Sequence, residues 1–286
     1  MADSVLESIR VIESLPTHPE QIAKVLDALN TTSSMEYNLL HLIQYDPAIA
    51  TRILSVANLP VYGYGRRVDS LQQAAGLLSP SLVSSIILTT PIFEMFNDSD
   101  HAYHQKFNHL QLWAHCGVTG GLAGFLAGKL QLTEEDVCLT LGLVHDMGKI
   151  ALVVNYPQAV LDAVEQSKER KISLNQALEA IIGCSQHDVA GQLAADWNYP
   201  DNLIDFLKSP ETEIEKNGDL GAIVLLANAL AEKWGYGDGL DIEETNSVDK
   251  LTANLALSPR DLEHWQEEMK QQAEALSRSI LTKTLS

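Results

Sequence analysis

The sequence predicts an all-α protein, and three observations carry that expectation. Asp46-Pro47, Ser79-Pro80 and Ser258-Pro259 each set a capping side chain directly before a proline suited to a first helical turn. Apolar residues recur at spacings of three and four over most of the chain. No stretch alternates with a period of two for long enough to argue a sheet.

In chain order, PEQIAKVLDALN (19–30), MEYNLLHLIQY (35–45), AIATRILSVAN (48–58) and LQQAAGLL (71–78) read as amphipathic helices. VSSIILTT (83–90) is β-branched and leaves helix and strand both open. MFNDSDHAYHQKFN (95–108) is polar and aperiodic, so a boundary is expected near residue 105, before the strongly helical LQLWAHCGVTGGLAGFLAGKL. GYGDGLDIEETNSVDK (235–250) is Gly-rich and then acidic, which reads as an exposed loop. A last amphipathic helix follows, with Leu262, Trp265, Met269, Leu276 and Ile280 on one face. The chain thus divides into residues 1–105, 106–235 and 236–286, with no internal repeat.

Composition narrows the class. The chain has 286 residues and 45% hydrophobic content, enough to bury a substantial core. Nineteen basic against 38 acidic residues give a net charge of −19, a field that repels nucleic acid and anionic membranes. The compact basic spots, Arg66-Arg67 and KERK (168–171), read as solvated charges at loops or helix ends. No apolar run has the length of a signal peptide or a membrane span, which predicts a cytoplasmic protein. Cys116, Cys138 and Cys184 lie far apart and form no CxxC pair, so buried free thiols are expected rather than disulfides or a zinc knuckle.

The chemistry concentrates in GLVHDMGKI (142–150), where His145, Asp146 and Lys149 interrupt an apolar run and Gly148 allows a close approach or a helix break. A His-Asp doublet alone is weak evidence, and a second occurs at His187-Asp188. A buried imidazole and carboxylate need partners. A divalent cation would satisfy both, and so would a hydrogen bond between them. Trp113 reads as a core anchor. His18, His41, His101, His104, His109 and His264 read as residues of loops or helix surfaces, and without cysteines His101, His104 and His109 make no zinc cluster. The glycines of VYGYGRR lack the lysine, the hydroxyl residue and the preceding strand of a phosphate loop.

Five motifs then fall into one order: YDPAIATRILSVANLPVYG (45–63), VDSLQQAAGLLS (68–79), LWAH (112–115), GLVHDMGKI (142–150) and SQHDVAGQLAADWNYP (185–200). Over roughly residues 10 to 235 the chain resembles the HDOD family, the HD-related output domains of bacterial signalling proteins. The resemblance implies a two-lobed helical fold, residues 1–105 forming the first lobe and 106–235 an HD-like second lobe related to metal-dependent phosphohydrolases. Matched to active relatives, His115, His145 and Asp146 stand at metal-ligand positions, and His187 stands at a further histidine position. Lys149, one helical turn past His145 if the helix continues, would neutralise an anionic oxygen.

The departures are as informative. Where relatives often show clustered histidines this chain reads Ser209-Pro210-Glu211, and the later metal-binding aspartate falls on Asn228. A neutral amide is a poorer ligand for a hard cation than a carboxylate, so the resemblance implies at most a weakly held divalent metal: manganese, iron or magnesium. Phosphoryl hydrolysis needs complete, oriented coordination, so the site reads as degraded for catalysis. Three function classes remain. One is a non-catalytic signalling module that binds a protein partner or a small nucleotide-like ligand. Another is a metal-dependent phosphohydrolase for nucleotide or cyclic-nucleotide phosphodiesters, with a substitute carboxylate such as Asp205. The last is an oligomerisation unit using the face of residues 262–280, so monomer and homodimer are both open; Asp188 reads as an exposed charge.

Overall fold

The computed structural model describes residues 2–18, 21–25, 43–62, 67–91, 108–132, 134–210, 219–240 and 248–281. The described residues are 76% helical and include no strand, only an isolated bridge at Thr17, whose amide donates to the Pro91 carbonyl at 2.7 Å. The expected joint near residue 105, most of the 35–45 segment, His41, His101, His104, and Gly63 and Gly65 lie outside the described residues.

The first helices are α1 (Ala2–Ile9), α2 (Pro47–Ala57), α3 (Leu71–Leu77) and α4 (Pro80–Leu88). All three capping pairs read from sequence operate. Asp46 accepts from the Ile49 amide at 2.9 Å, Ser79 from the Leu82 amide at 3.3 Å, and Ser258 from the Asp261 amide at 3.3 Å. The ambiguous β-branched run resolves as helix through Leu88, because Pro80 and its cap nucleate α4 and Val83, Ile86 and Ile87 bury one face. Tertiary burial decides there, not propensity.

The second part of the chain runs through α5 (His109–Lys129), α6 (Glu135–Val144), α7 (Met147–Asn155), α8 (Pro157–Arg170), α9 (Leu174–Ile182), α10 (Gln186–Asp196), α11 (Asp201–Lys208) and α12 (Asp219–Lys233). It closes with α13 (Val248–Asn254) and α14 (Pro259–Leu281). Residues 168–171 are exposed at the end of α8, with Lys171 in a left-handed cap at φ 55°, as expected for helix-end charges. The three cysteines are buried and free, and Trp113 is in the core. His18 differs from expectation: it is buried, beside the Thr17 bridge.

α5 is the central helix, packed by α6, α12 and α14. Glycines set how closely α5 and α6 approach. A Cβ on Gly142 would sit 2.9 Å from the Gly120 Cα, and one on Gly120 2.9 Å from the Leu139 carbonyl oxygen. That backbone contact brings the first half of α5, with His115, beside the end of α6, where His145 lies. The apolar face of α14 covers α5 rather than standing free: Met269, Ala273 and Leu276 are buried, and Leu276 lies where a Cβ on Gly121 would go. The Ile280 side chain lies outside the description.

One continuous apolar core runs from Val5 to Leu276 and joins both parts of the chain. Polar ties cross it. Tyr199 donates from its hydroxyl to the Thr51 carbonyl at 3.0 Å, Trp197 from its indole N–H to the Ile12 carbonyl at 3.1 Å, and the Leu71 amide to Thr140 Oγ1 at 2.9 Å. Glu135–Asn155 has the length and mean hydropathy, 1.7, of a membrane span, but 78% of its most apolar window is buried inside the fold, as the core helices of a folded domain are.

Candidate metal centre and ligand cavity

The doublet does not lie within one helix. α6 ends at Val144, His145 and Asp146 form a turn, and α7 starts at Met147. Gly148 explains the geometry behind it. A Cβ there would lie 2.0 Å from the Gln186 carbonyl oxygen and 2.8 Å from the Ala190 amide, so only glycine lets α7 press against the start of α10.

Two imidazoles and a carboxylate converge at that turn. His115 Nδ1 faces the Tyr236 carbonyl at 2.9 Å and His145 Nδ1 faces the Gly142 carbonyl at 2.7 Å. A carbonyl only accepts, so each Nδ1 carries the proton and each Nε2 presents a lone pair. Both lone pairs meet the same oxygen, Asp146 Oδ2, at 3.6 Å from His115 and 3.4 Å from His145. His145 Nε2 is buried without a hydrogen-bond partner.

Three acceptors facing one another repel unless a cation lies between them. Two donor atoms each about 2.1 Å from an ion lie roughly 3.4 Å apart at the tetrahedral angle, which matches both Nε2–Oδ2 separations. The donor atoms of His115, His145 and Asp146 all fall within 4.8 Å of one another. Imidazoles whose far N–H is held by a carbonyl are the usual outer support of a metal site. This trio therefore fits a divalent metal as three of its ligands. Burial pushes the His145 pKa down to about 4, which keeps the imidazole neutral and able to ligate.

The remaining residues are distributed differently from expectation. Lys149 is not a free anion-binding group. Its ammonium, almost fully buried, donates to Asp146 Oδ2 at 3.0 Å and also to Asp238 Oδ2. Burial opposes ionisation of Asp146, but the Lys149 ammonium bonded to it favours the carboxylate, and the carboxyl is held below the usual range. Burial likewise opposes ionisation of Asp238, and Lys149 again prevails.

Asp238 was not legible as a site residue, because GYGDG reads as an exposed loop. Instead residues 234–240 form a strap across α5. Asp238 and Leu240 are buried, the Tyr236 carbonyl holds His115, and Gln111 donates to the Gly237 carbonyl at 2.7 Å. Gly235 and Gly239, at φ 86° and 79°, supply left-handed turns that a side chain would strain. The signal in the sequence was a pair of glycines bracketing one aspartate. Its meaning required knowing that α5 lies underneath. Residues 241–247 lie outside the described residues.

A cavity of about 450 Å³ opens beside the doublet and is lined by His145, Asp146 and Lys149 among others. His187 and Asn228 line it too. His187 is outside the group of three converging donors, and its Nδ1 faces the Leu207 carbonyl at 3.3 Å. Asn228 donates to Glu232 Oε1 at 3.1 Å, and its own Oδ1 is buried and unpartnered. Asp188, expected to be an exposed charge, is half-buried and caps α10, accepting from the Ser185 amide and hydroxyl, each at 2.8 Å. Asp205 is exposed and not part of the cavity wall, so it supplies no substitute carboxylate. Glu211 lies outside the described residues, whereas Ser209 and Pro210 line the cavity.

Comparison with known proteins follows the same lines. The HDOD domain model matches residues 15–211. The MmoQ response regulator of Methylococcus capsulatus str. Bath is similar in structure, with a TM-score of 0.70 and 21% identity over 88% of this chain and 97% of that one. An HDOD domain protein of unknown function from Geobacter sulfurreducens gives a TM-score of 0.52 at 22% identity, covering 92% and 93%. A phosphohydrolase candidate from Shewanella amazonensis SB2B gives 0.52 at 16% identity, covering 93% and 95%. At these identities the likeness speaks for the fold. An uncharacterized protein of Treponema pallidum (strain Nichols) is 21% identical over 198 residues, 69% of this chain but only 37% of that relative's length.

Proposed function

The chain belongs to the HDOD domain family, and from that premise we propose that it is a regulatory module of bacterial signal transduction, acting in the cytoplasm by binding rather than by turnover. Two features of the site carry the reading together. The lysine beside the doublet is neutralised internally by Asp146 and Asp238, and the position where active relatives place a further acidic ligand holds Asn228. A phosphohydrolase centre needs its cation free to meet a phosphoryl oxygen and its metal fully coordinated. Here the first is engaged and the second lacks a carboxylate. The cavity remains, large enough for a small nucleotide-like ligand, and a protein partner on the helical surface is the other occupant of the same role.

The test pairs binding with chemistry. Purified protein with manganese is incubated with a panel of nucleotides and cyclic dinucleotides, reading thermal shift and product release together. A ligand that raises Tm without product supports the module. Turnover that disappears in His145→Ala and Asp146→Ala overturns it.

That second outcome describes a metal-dependent phosphohydrolase, which the fit of His115, His145 and Asp146 to a metal keeps as the alternative. A divalent ion held by them would supply Lewis-acid polarisation of a phosphoryl oxygen. It requires near-stoichiometric manganese, iron or magnesium in chelator-free protein, lost in Asp146→Ala.

A further inference from the structure

Lys149 stands between two carboxylates whose surroundings differ. Asp146 is the only acid in the converging trio, and its Oδ2, the atom that faces both imidazoles, is also the atom Lys149 binds at 3.0 Å. A dication and an ammonium would compete for the same oxygen. Asp238 offers the ammonium a second partner that takes no part in the trio, and Lys149 already donates to its Oδ2. Asp238 is itself fixed, with Oδ1 accepting from the Leu240 amide at 2.8 Å, inside the strap whose Tyr236 carbonyl sets the tautomer of His115.

We infer that Asp238 is a positioning residue for metal binding: it draws the Lys149 ammonium off Asp146, freeing Oδ2 for the ion, so that Lys149 is a built-in competitor and Asp238 its counterweight. The inference rests on the fit of His115, His145 and Asp146 to a divalent metal. It also explains why a strap far along the chain carries both a buried acid and the carbonyl that orients a ligand. Without Asp238, the Lys149 ammonium turns more fully to Asp146 and competes with the metal for Oδ2. Without Lys149, Asp146 is free whether or not Asp238 is present.

Cobalt(II) is the probe, because its visible absorption reports ligand number as well as binding. Affinity and spectrum are measured for the full chain, Asp238→Asn, Lys149→Met and the double variant, with thermal unfolding of each as a check on folding. Asp238→Asn should weaken cobalt at least tenfold. Lys149→Met should bind more tightly than the unaltered chain, and the double variant should return to within about threefold of Lys149→Met. Rescue by removing the lysine is the discriminating readout, because a purely structural role for Asp238 would leave the double variant as weak as the single one. Unchanged affinity in Asp238→Asn, or a loss that Lys149→Met does not repair, overturns the inference. The double variant replaces the buried pair by neutral groups, so it tests the point even if Asp238→Asn alone unfolds. Absence of cobalt binding in the unaltered chain and in Lys149→Met alike overturns the metal fit itself, and this inference with it.

Discussion

Replacing Gly148 by alanine probes the packing that forms the site without touching a polar group. The added Cβ would lie 2.0 Å from the Gln186 carbonyl oxygen and 2.8 Å from the Ala190 amide, where real Cβ contacts keep about 3.0 Å or more. α7 and α10 must therefore separate by at least about 1 Å. The obstacle is backbone at the first turn of a helix, not a side chain able to rotate away. Overpacking of well-packed sites costs typically about 1–3 kcal/mol, and a rigid obstacle places this case near or above the upper end. At about 2–4 °C per kcal/mol for domains somewhat smaller than this one, the expected drop in Tm is roughly 6–12 °C. Gly76→Ala is the control. It is a glycine in the last turn of α3 with nothing within 4 Å of its added Cβ, so the same chemical change should be neutral or stabilise by up to about 1 kcal/mol. Circular dichroism melts of both variants decide the matter. A Gly148→Ala protein melting within about 2 °C of the parent would refute the claim that this glycine sets the α7–α10 approach.

Further expectations follow from other buried groups. Burial raises the Asp46 pKa to about 6 against an ordinary 3.8, opposed by Thr17, backbone amides and Lys24. A folded pKa above the unfolded one favours the protonated form, so this stability is full below about pH 4 and lost as pH rises through 6. It amounts to roughly 3 kcal/mol for a two-unit shift. Asp46→Asn, which keeps the cap, should therefore gain on the parent between pH 4 and 7.5 in urea titrations, and parallel pH profiles would contradict the assignment. Tyr199→Phe removes the buried hydroxyl bonded to the Thr51 carbonyl, with an expected loss of about 1 kcal/mol; equal urea midpoints would show that this tie contributes nothing. Elemental analysis of chelator-free protein beside Asp146→Ala should show any bound transition metal disappear in the variant, because Asp146 supplies the only carboxylate of the trio; metal retained at equal stoichiometry would place it elsewhere.

The sequence by itself determined the helical class, the three capped helix starts, the free buried thiols, the core role of Trp113 and the family to which the chain belongs. These are local or ordered signals: a capping side chain beside its proline, a spacing of three and four, five motifs in register along one chain. It also named His115, His145 and Asp146, because the doublet and the histidine before it keep their places in the motif order. The tertiary structure decided what those residues face. That Lys149 is engaged, that Asp238 engages it, that Asp205 is exposed outside the cavity wall and that the apolar face of α14 is covered by α5 are relations between segments tens of residues apart. Asp238 lies 89 residues beyond Lys149 in a stretch whose glycines and acids signal solvent. Composition measures how a segment would meet water, whereas burial depends on what the rest of the chain lays against it. Asp238 is buried because α5 runs beneath the strap and a buried ammonium needs an acid, conditions that no local window contains.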